Sequence, residues 1–192
     1  MKAAELYRVV AGVLGPPLVA RGFKKLRSSR LAYQRVIRDT YQTVWFQCDK
    51  YGWDSHTGSR FWVNFTARES PTFDTFGGHS QSLFFFLTEA ELAGAQDFRD
   101  SVVARIPRPP LSYFETLQAH FEKHCAEDAE GIMATLRAEF EPEAFPYGRN
   151  HDVGMKYWLP TDVIWWATLI ASVLPRAIEQ MDSWSAEIAR VP

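Results

Sequence analysis

The chain has 192 residues, of which 46% are hydrophobic, 15% aromatic and 23% charged. That is enough apolar material for a substantial core, which excludes a disordered chain, and the length fits one domain. A net charge of −2 excludes a global field drawing the protein to nucleic acid or anionic membrane.

Lys2 to Leu14 places Leu6, Val9, Val10 and Val13 at helical spacing, with Gly15 as its stop and Pro16-Pro17 able to open a further short turn. Gly22 is a second stop. Four strands are then expected: Phe23–Arg27, Leu31–Arg38, Tyr41–Asp49 and Arg60–Arg68. Period-two alternation in the last two separates Val44, Phe46, Phe61, Val63 and Phe65 from Trp45, Gln47, Trp62 and Asn64. The short polar turns between the strands suit an antiparallel meander. Pro71 to Ser80 reads as loop, and Leu83–Leu87 as a fifth, buried strand or the start of the next helix.

Helical signals take over at Thr88, which with Glu91 forms a capping box for a helix reaching about Arg105. Pro107, Pro109 and Pro110 end it. Ser112 with Glu115 repeats the box for a second helix carrying Phe114, Leu117 and Phe121, continuing past Gly131 to Phe140. A last helix begins near Val163, capped by Thr161 or Asp162, bends near Pro175 and runs through Trp184. Its apolar run, Val163–Leu174, is shorter than the ~20 residues of a membrane span. Strands followed by helices give an α+β fold: an antiparallel four- or five-stranded sheet packed with an N-terminal helix and three C-terminal helices. The expected organisation is one domain over 1–192, with helix and sheet in 1–87 and a mainly helical part in 88–192. Its core should include Phe23, Phe46, Val63, Phe65, Leu117, Phe121, Ile164 and Leu169.

One stretch carries a family likeness. A helix, then Gly22-Phe23-Lys24, then a strand with Tyr33 and Arg35, a strand with Phe46-Gln47 and a strand with Phe61, Val63 and Asn64 resembles domain-of-unknown-function family 4304, a set of largely bacterial proteins. The resemblance covers roughly the first 70 residues. It implies a fold and a bacterial setting, and no reaction.

Charge is unevenly spread. Residues 1–40 hold nine Lys and Arg against Glu5 and Asp39, a local charge of +7, which leaves −9 for the rest of the chain. Such asymmetry marks an anionic partner surface, or basic strands that pair with acidic helices of the same chain; the second is the expectation. Cys48 and Cys125 make no disulfide framework. With an amphipathic first segment in place of a signal peptide, a cytoplasmic location is expected.

Several constellations bear chemistry. Gln47 and Asn64 share a face with Trp45 and Trp62. Two amides between aromatics can read a polar ligand edge, or they serve groups of helices that cover the face. The same face, flanked by Arg60 and Arg68, has the makings of a stacking platform for single-stranded nucleic acid, although it lacks the glycines of the RNA-recognition signature. His120 and His124 are spaced to share one helix face, without a third ligand near. Two loops pair a histidine with a carboxylate, His151 with Asp152 and His56 with Asp54, as a general base requires. No phosphate loop, dinucleotide fingerprint or Cys-x-x-Cys pair is present.

The candidate ligand-binding residues are therefore Trp45, Gln47, Trp62, Asn64 and His151, with no catalytic residue assigned and no metal or cofactor expected. The expected function is a binding or interaction module for another protein, in one form an immunity-type partner in a bacterial conflict system. The alternatives are a metal-independent enzyme using a loop His/Asp pair, and nucleic-acid binding on the aromatic face. No membrane partner is expected, and oligomeric state is not read from the sequence.

Overall fold

The computed structural model describes residues 1–49, 53, 55–72, 78–138, 140, 147–148 and 154–190. It is an α+β fold in which one face of an antiparallel sheet carries the core beneath the first and last helices.

The first helix, α1, spans Ala3–Val19 and buries Leu6, Val10, Leu14 and Leu18, a stripe at four-residue spacing. Gly15 does not stop it, and Pro16 and Pro17 lie inside it. The glycine serves packing instead: a methyl group there would fall 3.1 Å from the Tyr33 hydroxyl. Gly22, with φ of +84°, turns the chain into the sheet.

The expected strands are present as β1 (Lys24–Lys25), β2 (Ala32–Ile37), β3 (Thr40–Cys48) and β4 (Ser59–Arg68). Arg38 and Asp39, both at positive φ, make the two-residue turn between β2 and β3. Such a turn matches the twist of the flanking strands. Two further strands differ from expectation. β5 (His79–Ser82) begins in the predicted loop, and the segment expected as a fifth strand or the start of the next helix is a 3-10 turn, Leu83–Phe86, with Leu83, Phe84 and Phe86 buried. β6 (Met155–Tyr157) has no strand-length pattern of its own. β1 to β5 lie in chain order, and β6 shares with β5 the outer edge of β4. β5 pairs with Asn64–Ala67 and β6 with Ser59–Phe61.

Among the described residues four helices follow where three were expected. α2 (Glu89–Arg105) opens on the predicted Thr88–Glu91 capping box. The predicted long helix is two: α3 (Leu111–His124), with Pro110 and not Ser112 at its N-cap, and α4 (Ala129–Ala138), separated by a turn at Cys125–Asp128. α5 (Pro160–Ile188) begins with Leu159 as its N-cap. Asp162, two residues after Pro160, reaches back to accept the N–H groups of Trp158 and Leu159 at 2.9 and 2.8 Å.

The core joins α1, the sheet and α5. Phe23, Phe46, Val63 and Phe65 are buried as expected. Ile164 is not: it is 47% exposed, because α5 buries Val163, Trp166, Ala167, Ile170 and Leu174 at three- and four-residue spacing, and Ile164 lies off that stripe. Leu169 packs partly buried against the core. Leu117 and Phe121 are also outside it, since no residue of α3 is buried. The described helices include none long and apolar enough to cross a membrane.

Candidate functional site

The β3–β4 register brings the four predicted sheet residues together. Trp45 stands opposite Asn64, and Gln47 opposite Trp62. All four side chains lie on the face away from the core, since Val44, Phe46, Val63 and Phe65 take the other. Among the described residues the face is partly covered by loop segments. At one end the loop after β4 returns over it: the Gln34 side-chain amide donates to the Pro71 carbonyl at 2.9 Å and to Thr43 Oγ1 at 3.0 Å. Thr43 and Thr66 are buried there. In the middle the Arg30 guanidinium sits 5.2 Å above the Trp45 ring, a cation–π contact. Trp62 is backed by Gly154, where an added methyl group would fall 2.6 Å from Trp62 Cε2. Trp45, Trp62 and Asn64 are thus half-buried, and Gln47 is exposed. Both indoles have a neighbour against them within the chain.

A different amide is the buried one. Gln42, fully buried on the core face, donates to Asp182 Oδ1 at 2.9 Å and to Ser185 Oγ at 2.8 Å, and accepts from Arg35 Nε at 2.8 Å. Arg35 also donates to Asp182 at 2.6 Å and to the Arg21 carbonyl. This network ties β2 and β3 to α5. The alternation that puts Val44, Phe46 and Cys48 on the core face already places Gln42 there, two residues before Val44.

Of the histidine pairs, His151, Asp152 and Asp54 lie outside the described residues. His56 packs on α3, its ring centroid 4.9 Å from that of Tyr113. The rings of His120 and His124 are 4.7 Å apart on an exposed surface. Among the described residues no group of three or more His, Cys, Asp or Glu is placed to hold a metal ion.

A further cavity is not marked by any sequence motif. A cleft of about 720 Å³ lies between the end of the sheet and the α3–α4 pair. Tyr113, Leu117 and Phe121 from α3, with Ile132 and Leu136 from α4, make one wall. Asp49, Arg60 and Lys156 contribute to the sheet side. Gly58, at φ +66°, shapes its rim, and a methyl group there would meet the Tyr157 carbonyl oxygen at 2.5 Å. Exposed Cys125 lines the same cleft. The signal in the sequence is the Phe114, Leu117 and Phe121 stripe, of which Leu117 and Phe121 line the cleft in place of the expected core position, and Tyr113 joins them.

Where acidity is perturbed, it moves away from neutrality. Burial pushes the Tyr157 hydroxyl up to about 12 and raises those of Tyr7 and Tyr147 further. Burial likewise raises the Cys48 thiol, although its contact with Tyr7 opposes the shift. Glu91 is held down at about 2, first by the Arg176 guanidinium that donates to it. These groups stay in one protonation state near pH 7, as packing and ion-pair groups do, and are not poised for proton transfer.

No protein-family model, curated protein or solved structure matches the chain.

Proposed function

We propose that this chain is a binding module for another protein, and that the partner docks in the cleft under α3 and α4. The observation that carries this reading is the state of α3. It presents Tyr113, Leu117 and Phe121 on one side, yet none of its residues is buried. In a closed core that stripe would be covered. Here it walls a cleft whose other side mixes the charges of Asp49, Arg60 and Lys156. Such a site suits an amphipathic segment whose large apolar side chains enter between the helices and whose polar side faces the sheet residues.

The test uses the thiol at the site. In a Cys48→Ala background, a photoreactive maleimide on Cys125 should crosslink one protein from the native host, identified by mass. The adduct should disappear when Leu117→Glu is added to a chain that keeps its circular dichroism. An adduct that persists in the Leu117→Glu chain would place the contact elsewhere. The narrower form, an immunity-type partner, requires that the recovered protein arrest growth when produced alone and not when produced with this chain.

A further inference from the structure

Some of the basic side chains in the amino-terminal forty residues have no counter-charge beside them among the described residues. Arg35 is paired with Asp182. Lys24, Lys25, Arg27 and Arg38, all exposed, form no ion pair among the described residues. The expectation that the basic strands are neutralised by acidic helices fails for these side chains. The physical reason is topological. Lys24, Lys25 and Arg27 belong to β1 and the segment just after it, at the edge of the sheet opposite β5, and Arg38 belongs to the β2–β3 turn, whereas α5 reaches the sheet at Arg35 and Gln42.

The same margin has an incomplete strand ladder. β1 is two residues long and pairs Lys24 with Gln34 and Lys25 with Tyr33. In the two-residue β2–β3 hairpin Ile37 faces Thr40, so the backbones of Ile37, Arg35 and Tyr33 point toward β3. Those of Gln34 and Val36 point outward. Gln34 meets β1. Val36 lies beyond the end of β1 and meets no strand, because the chain leaves the ladder at Gly22. Its side chain is 55% exposed. A groove of about 480 Å³ runs along this margin, lined by Arg21, Lys24, Leu26, Val36 and Ile37 among others.

We infer that this margin is a second docking surface, one that takes an extended acidic segment of a partner protein alongside β2, independently of the α3–α4 cleft. Three features match that occupant. Unpaired strand edges recruit extended peptides through the backbone. The cations on either side of Val36 favour carboxylates. Leu26 and Val36 offer apolar surface on one face of the margin and Ile37 on the other, where the alternate side chains of an added strand would lie.

The probe is a labelled peptide, acetyl-Gly-Glu-Thr-Glu-Val-Glu-Thr-Glu-Gly-amide, followed by fluorescence anisotropy with the full chain at low salt. Binding should weaken about tenfold in Lys24→Glu/Lys25→Glu. It should weaken at least comparably in Val36→Pro, which removes the outward N–H, while Leu117→Glu leaves it unchanged. The charge-reversal variant alters exposed side chains alone and keeps the test open if Val36→Pro fails to fold. Absence of peptide binding, or binding indifferent to both changes, would overturn the inference. So would tighter binding of a single-stranded oligonucleotide than of the peptide at equal salt. A concentration-dependent dimer abolished by Lys24→Glu/Lys25→Glu would also overturn it, by showing that a second copy occupies the margin.

Discussion

Gly154 offers a direct probe of how the Trp45/Trp62 face is closed. Its φ of +71° is in the left-handed region, and a methyl group there would lie 2.6 and 2.7 Å from Trp62 Cε2 and Cζ2. Gly154→Ala therefore meets two separate penalties. The backbone term is about 1–2 kcal/mol for a residue with a Cβ, reduced by about 0.4–1 kcal/mol because alanine restricts the unfolded chain. Crowding against the indole adds about 1–3 kcal/mol. The expected loss is about 2–4 kcal/mol, measured by urea denaturation followed by far-ultraviolet circular dichroism. The two terms separate in a double-mutant cycle. In a Trp62→Ala background the crowding term vanishes and Gly154→Ala should cost only about 1 kcal/mol, a coupling of about 1–3 kcal/mol. Equal losses in both backgrounds would refute the reasoning, since Gly154 would then not be what backs Trp62.

Two further outcomes follow from the side-chain networks. Gln42→Leu removes a fully buried amide with three partners and should cost about 1–3 kcal/mol; exposed Gln47→Leu should stay within about 0.5 kcal/mol in the same denaturation assay. Glu91 is held near 2, against an ordinary value of 4.5, by Arg176 and Thr88. A carboxyl depressed in the folded state contributes stability above pH about 4.5, and that contribution is lost as the pH falls toward 2. The wild-type advantage over Glu91→Gln, about 0.2–1 kcal/mol at pH 7 for so exposed a pair, should shrink across that window; a constant gap in melting temperature would refute it.

Much of the fold was readable without coordinates, for reasons that are local. Alternation over Leu31–Arg38, Tyr41–Asp49 and Arg60–Arg68 predicted β2, β3 and β4, and the Thr88–Glu91 box predicted the start of α2, because pleat and cap act within a few residues. β6 escaped because Met155–Tyr157 is three residues long and is a strand by virtue of Ser59–Phe61 beside it. Ile164 lies in an all-apolar run, and such a run does not reveal which side of its helix faces the sheet.

The candidate site divides along the same line. That Trp45, Gln47, Trp62 and Asn64 share a face follows from counting residues in two strands. What meets that face does not. The Pro71 carbonyl, Arg30 and Gly154 reach it from segments whose own patterns are silent about their destination. A helix with an apolar stripe looks the same in sequence whether the stripe is buried or left facing a cleft, so α3 could be located but not placed. Net charge by segment was likewise visible as +7 in residues 1–40. Whether those charges are answered depends on how far apart the sheet margin and the acidic helices fall, and that distance is a property of the tertiary structure alone.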